Sequence, residues 1–80
     1  MNKYDNKSNV IGKIIKEHRE KLGLTKSEVC RLVQLHGIDI NRVVLYRMEM
    51  GQSIIKDFEL IALSEVLKID YNTEIKNLID

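Results

Sequence analysis

Residues 24–51 read LTKSEVCRLVQLHGIDINRVVLYRMEMG, and this stretch decides the fold. Thr25 stands just before a periodic apolar run and Glu28 follows three positions later. That pair is a capping box, in which each side chain satisfies the other residue's free amide, and it starts a helix. Val29, Cys30, Leu32 and Val33 supply the buried face of this helix. His36-Gly37 ends it near Leu35, because glycine takes the left-handed conformation that follows a helix end. Ile38-Asp39-Ile40-Asn41 then forms a connector whose isoleucines tuck into the core while Asn41 caps the next helix. That helix runs to about Met50 and Gly51 stops it. Its apolar stripe of Val44, Leu45 and Met48 is narrow, and the opposite face carries Arg42, Val43, Tyr46 and Arg47. Two short helices joined by a connector, the second basic at its start, can hold one helix outward into a DNA major groove.

Upstream, Ser8 and Asn9 cap a first helix whose Ile11, Ile14, Ile15, His18 and Leu22 fall at spacings of three and four, and Gly23 ends it. Downstream, 52–56 is a loop and Asp57 caps a fourth helix. Phe58, Leu60, Ile61, Ala62, Leu63, Val66 and Leu67 make it the most apolar of all, expected at the centre of the core. Residues 69–72 form a break, after which Asn72 or Thr73 starts a short fifth helix burying Ile75, Leu78 and Ile79. The expectation is an all-α, compact five-helix bundle: a polar segment over 1–8, then one domain over 9–80.

The chain's 80 residues, 44% hydrophobic and 31% charged with no Pro and four Gly, suit one helical domain and exclude a multidomain enzyme. No run approaches the roughly 18 apolar residues of a membrane helix, and the opening MNKYDNKSN lacks the apolar stretch of a signal peptide. With a single cysteine that cannot staple the chain to itself, these features lead us to expect a cytoplasmic protein. The net charge of +1 hides a split. Residues 1–50 carry ten Lys/Arg against six Asp/Glu, or +4, whereas residues 51–80 carry three against six, or -3. A basic half suited to phosphates is thereby paired with an acidic half that faces away.

Arg19, Leu24-Thr25-Lys26, Cys30 at a position for a small residue, Leu45-Tyr46-Arg47-Met48-Glu49-Met50-Gly51 and the apolar 57–67 run occur in the order of a known pattern. In these residues the segment from Ile11 to Asp70 resembles the phage-repressor and Cro-like helix-turn-helix proteins, the XRE family. The resemblance implies a lambda-repressor-like DNA-binding bundle with helices 2 and 3 as the helix-turn-helix. Twenty residues separate Cys30 from Gly51, more than the tight family turn holds, so the connector is expected to be lengthened. By resemblance Arg42, Val43 and Arg47 contact bases, Val43 through thymine methyl groups. Lys26, which stands where the family often has Gln, contacts the phosphate backbone together with Asn41, whose capping and phosphate roles are compatible. Tyr46 either bonds a phosphate or lies over the connector. Arg19 and Glu49 match two positions that form a scaffold ion pair.

The partner so implied is double-stranded DNA, bound by a homodimer on a roughly palindromic site with half-sites about one helical turn apart, as a repressor would bind it. The position of Tyr71, Ile75, Leu78 and Ile79 in the acidic half suits them to the dimer contact. Lys3 and Lys7 are candidates for a groove-following arm or a frayed terminus. Cys30, His18 and His36 lack zinc spacing, and no phosphate loop, nucleophile elbow or carboxylate pair occurs, so no metal, cofactor or enzymatic activity is expected. A different class remains open: a protein-interaction module, such as an antitoxin, anti-repressor or adaptor. It would bind through Val43, Val44, Tyr46, Met48 and Met50 with the fourth helix.

Overall fold

A computed structural model describes residues 7–78 of the chain. Four α-helices follow in order, α1 (Gly12–Lys21), α2 (Lys26–Gln34), α3 (Arg42–Glu49) and α4 (Asp57–Leu67). A π-turn (Tyr71–Ile75) and a 3₁₀ turn (Lys76–Leu78) complete the described chain, which contains no strand. The fold is the all-helical bundle expected from the sequence, with the contiguous π and 3₁₀ turns standing as its fifth helical segment.

The core is a single cluster of Ile15, Val29, Val33, Ile40, Leu45, Met48, Ala62, Leu63, Leu67 and Ile69. Each of its fully buried aliphatic side chains contributes about 1.5–3 kcal/mol relative to exposure. Helices α3 and α4 each pack against both α1 and α2 and touch one another little. The basic α3 and the acidic α4 are thus joined mainly through α1 and α2.

The helix starts follow local chemistry. At α2 the Thr25 hydroxyl accepts the Glu28 amide at 3.1 Å and the Glu28 carboxylate accepts the Thr25 amide at 2.8 Å. The Thr25 amide, and after it the Thr25 side chain, hold the Glu28 carboxyl below the usual carboxylate range. At α3 the Asn41 side chain accepts the Val44 amide at 2.9 Å. All four helices end alike, with the amide of Leu24, Ile38, Gln52 or Ile69 bonded back to the carbonyl five residues earlier. The turn at Gly37 has φ +81°, which a side chain would strain, and it redirects the chain from α2 into the connector. At α4 the same left-handed position is held by Lys68, at φ 58°.

Residues 35–41 form the connector, and it is lengthened but not loose. Ile40 is buried and Ile38 packs against the core. Those two anchors let a longer link present α3 in a fixed orientation.

Several details differ from the sequence reading. Asn9 caps α1 from outside, its Oδ1 accepting the amides of Ile11 and Gly12 at 3.0 and 2.7 Å. Ser8 instead donates its own amide to the Gly51 carbonyl, and Leu22, at the C-cap of α1, is exposed rather than part of the buried stripe. Lys56, not Asp57, is the cap residue of α4, since the Glu59 carboxylate reaches back to the Lys56 amide at 2.8 Å. Helix α4 is only half a core helix: Ala62, Leu63 and Leu67 are buried, while Phe58 and Ile61 face outward. The fifth element starts from Asp70 rather than Asn72 or Thr73. The Asp70 carboxylate takes the Asn72 amide and the Thr73 hydroxyl, and this tight loop widens the turn so that Lys76 bonds Tyr71, five residues back. Ile79 and Lys3 lie outside the described residues.

Candidate nucleic-acid interface

Helix α3 presents one face to the core and the other to the exterior. At about 100° per residue, Arg42, Tyr46, Met50, Val43 and Arg47 succeed one another around an arc of about 140°. All five are exposed, with Val43 at 60% and Tyr46 at 49%. Leu45, Met48 and Glu49 occupy the opposite side and are buried. Met48, and Val44 packed against the core, are thus removed from the interaction surface considered for a protein partner.

The start of α3 faces the start of α2 across an open groove lined by Arg19, Gly23, Leu24, Thr25, Lys26, Ser27, Arg42, Val43 and Tyr46. No carboxylate belongs to that lining. The Lys26 ammonium lies over the Tyr46 ring at 5.9 Å from its centroid, which ties the two helix starts together by a cation–π contact. Tyr46 therefore sits under Lys26. Asn41, Arg42 and Val43 bring the positive end of the α3 dipole to the same region. Arg47 lies further round the exposed arc, outside the groove.

Arg19, which lines the groove, forms a bidentate ion pair with Glu49. Nε donates to one carboxylate oxygen at 2.7 Å and Nη2 to the other at 3.1 Å. The remaining Nη1 donates to the Leu24 carbonyl at 3.1 Å, so one guanidinium binds α1, α3 and the turn before α2. Both residues are under a tenth exposed. The Glu49 hydrogen bonds hold the guanidinium proton more tightly than in water. A buried, doubly bonded pair of this geometry fixes the rotation of α3 about its axis, and hence which side chains point outward.

Two residues important to this placement carry no family signal in the sequence reading. The amide of Asn9 that does not cap α1 donates to the carbonyls of Met48 and Ser53 at 3.0 and 2.7 Å, clasping the end of α3. Gly12 lets the backbone of α1 lie directly on that of α3 at Met48 and Glu49. The Lys7 ammonium approaches the Met50 carbonyl at 3.5 Å, beside the same helix end.

The positions suited to a dimer contact do not share one surface. Tyr71, exposed, and Ile75 line a groove with Leu60, Ile61 and Ser64 of α4. Leu78 lines a separate one beside Lys7, Asn9 and Met50. Cys30 is half-buried, and burial pushes its thiol up, with Glu49 adding to the effect and Arg42 opposing it. Among the described residues no group of His, Cys, Asp or Glu is arranged to hold a metal, and no helix is long and apolar enough to cross a membrane.

An exposed basic helix, held in register by a buried ion pair and set beside a second capped helix, defines a helix-turn-helix domain. Residues 15–72 match the helix-turn-helix family model, and the chain belongs to that family, the XRE-type proteins that act as DNA-binding regulators. No curated protein and no solved structure gives a match.

Proposed function

We propose that the domain over residues 9–80 is a sequence-specific transcriptional repressor that inserts α3 into the major groove. The carboxylate-free groove between the starts of α2 and α3 carries this reading, because it puts cationic and donor groups where a phosphate strand beside the major groove would run. Arg42, Val43 and Arg47 face outward on α3 and read bases, the arginines through guanine edges and Val43 through thymine methyls. Lys26 and Tyr46 act as a unit on one phosphate, and Asn41 with the free amides beside it binds another. The chain works in the cytoplasm as a homodimer, each protomer placing α3 in successive grooves about one helical turn apart.

For the dimer contact, the exposed apolar side chains of Ile54, Phe58, Ile61 and Tyr71 support a surface centred on α4 that includes Tyr71 and Ile75, while Leu78 would contribute from the separate groove beside Lys7 and Met50. That surface also favours the second reading, a protein-interaction module working through α4.

Selection of duplexes from a randomised pool at about 150 mM salt tests the proposal, since non-specific phosphate attraction is largely screened there. Enrichment of a two-fold symmetric site is expected. Arg42→Ala and Arg47→Ala should each relax the preference at a defined base by about 1–3 kcal/mol per lost guanine contact. If no sequence is enriched, at this salt or lower, α3 is not a base-reading helix and α4 becomes the functional surface.

A further inference from the structure

His18 is held between two acceptors that belong to different parts of the fold. Its Nδ1 meets the Leu67 carbonyl at 2.8 Å, and its Nε2 meets the Glu74 carboxylate. A carbonyl oxygen only accepts, so Nδ1 must carry a hydrogen. The Glu74 carboxylate, whose second oxygen takes the Asp70 amide at 3.2 Å, is the partner that a hydrogen on Nε2 matches. A carbonyl on one ring nitrogen and a carboxylate on the other together favour the imidazolium. Leu67 lies at the C-terminal end of α4, where the last turn contains no basic residue of its own. His18 supplies from α1 the cation that the negative end of the α4 dipole attracts. We propose that His18, Glu74 and the last carbonyl of α4 form a proton-operated latch, which holds the C-terminal π-turn on the bundle while the ring is doubly protonated and releases it when a ring proton passes to solvent.

The groups facing the ring account for its balance. From α1, Lys21 opposes the charge; from α4 comes the Leu67 carbonyl; from the π-turn comes Glu74. Burial also disfavours the imidazolium, but the Glu74 hydrogen bond, the Leu67 carbonyl and the Coulombic attraction of Glu74 outweigh it, so His18 titrates above its ordinary 6.5. The His18 hydrogen bond conversely lowers Glu74 from its ordinary 4.5. Because the histidine is raised, its contribution is complete below 6.5 and is lost as pH climbs through its folded value. The Glu74 contribution is present above 4.5 and lost as pH falls through its lowered value. The latch is closed between those limits and opens as pH climbs through the raised value of the histidine. Tyr71 and Ile75 travel with the π-turn, so the groove they share with Ile61 changes shape when it opens.

A proton NMR titration of the unmodified protein tests this, with the backbone amides of 70–78 followed in parallel. The His18 ring should titrate with a midpoint above 6.5, and the amides of Glu74 and Lys76, which close the turn on Asp70 and Tyr71, should shift with the same midpoint. Amide hydrogen exchange at those two positions, corrected for its intrinsic pH dependence, should accelerate on the order of tenfold across that midpoint, the loss expected for one charge-assisted bond. Glu74→Gln should lower the His18 midpoint while α1–α4 stay protected. A midpoint at or below 6.5, or C-terminal amides that ignore the ring, overturns the proposal. The wild-type titration decides the matter even if the variant does not fold.

Discussion

Replacing Gly12 by alanine should damage this protein more than a substitution at any of its turn glycines, although Gly12 lies inside a helix, where alanine is the better former. A methyl carbon at Gly12 would overlap the Met48 carbonyl oxygen outright, and would lie 2.9 Å from the Glu49 carbonyl oxygen and 3.0 Å from its carbon. All three atoms are backbone, so no side chain can turn aside. Carbon–oxygen packing at ordinary separation requires α1 to retreat from α3 by more than about 1 Å. That retreat strains the Arg19–Glu49 pair at 2.7 and 3.1 Å and the Asn9 bond to Met48 at 3.0 Å. Alanine gains about 1 kcal/mol in helix propensity. Against it stand about 1–3 kcal/mol of overpacking and a share of the roughly 3–5 kcal/mol at risk when a buried ion pair is broken. The net expectation is about 3 kcal/mol of destabilisation, or a Tm lower by roughly 12–24 °C for a domain this small. Gly37→Ala is the comparison: nothing lies within 4 Å of the added methyl, so it incurs only the left-handed backbone strain, about 1 kcal/mol. Denaturant titration followed by circular dichroism measures both. If Gly12→Ala unfolds within about 0.5 kcal/mol of wild type, or above Gly37→Ala, the α1–α3 contact does not set the placement of α3 as argued.

Three further outcomes follow from the geometry. Lys68→Gly should raise stability by about 0.5 kcal/mol, the relief of left-handed strain less the added chain entropy, as read by thermal unfolding. Glu49→Leu alone should cost about 3 kcal/mol by stranding the buried Arg19, whereas Arg19→Met with Glu49→Leu should recover most of that loss in the same denaturant assay. Cys30, raised by burial, should react with iodoacetamide more slowly in the native protein than in the denatured chain at the same mildly alkaline pH; equal rates would contradict its packing.

The parts of this fold that the sequence made legible are those whose cause is local. The Thr25–Glu28 box and the Asn41 cap connect residues three apart, so reading the spacing is nearly the same as reading the bond. The departures come from long-range partners. Asn9 was readable as a cap, but its other amide binds carbonyls 39 and 44 positions away, which no periodicity encodes. His18 sits on an apolar stripe and looks like a packed ring, yet its partner Glu74 is 56 residues downstream. Phe58 and Ile61 are as apolar as Leu63, and only the direction from which α1 and α2 approach α4 determines which is covered. The fifth element departed for a local reason missed in the reading: Asp70 captures the Asn72 amide and the Thr73 hydroxyl, and a loop so tightened does not continue as an α-helix.

That α3 and α4 are joined mainly through α1 and α2 has an evolutionary corollary. Because α3 and α4 touch little, substitutions on the outward face of α3 at 42, 43, 46 and 47 should add nearly independently to substitutions at 58 and 61 of α4. A lineage carrying this scaffold is then able to revise what one surface recognises without renegotiating the other. Exchanging the outward positions of α3 would alter one surface while leaving the buried contacts that hold the helix in place intact.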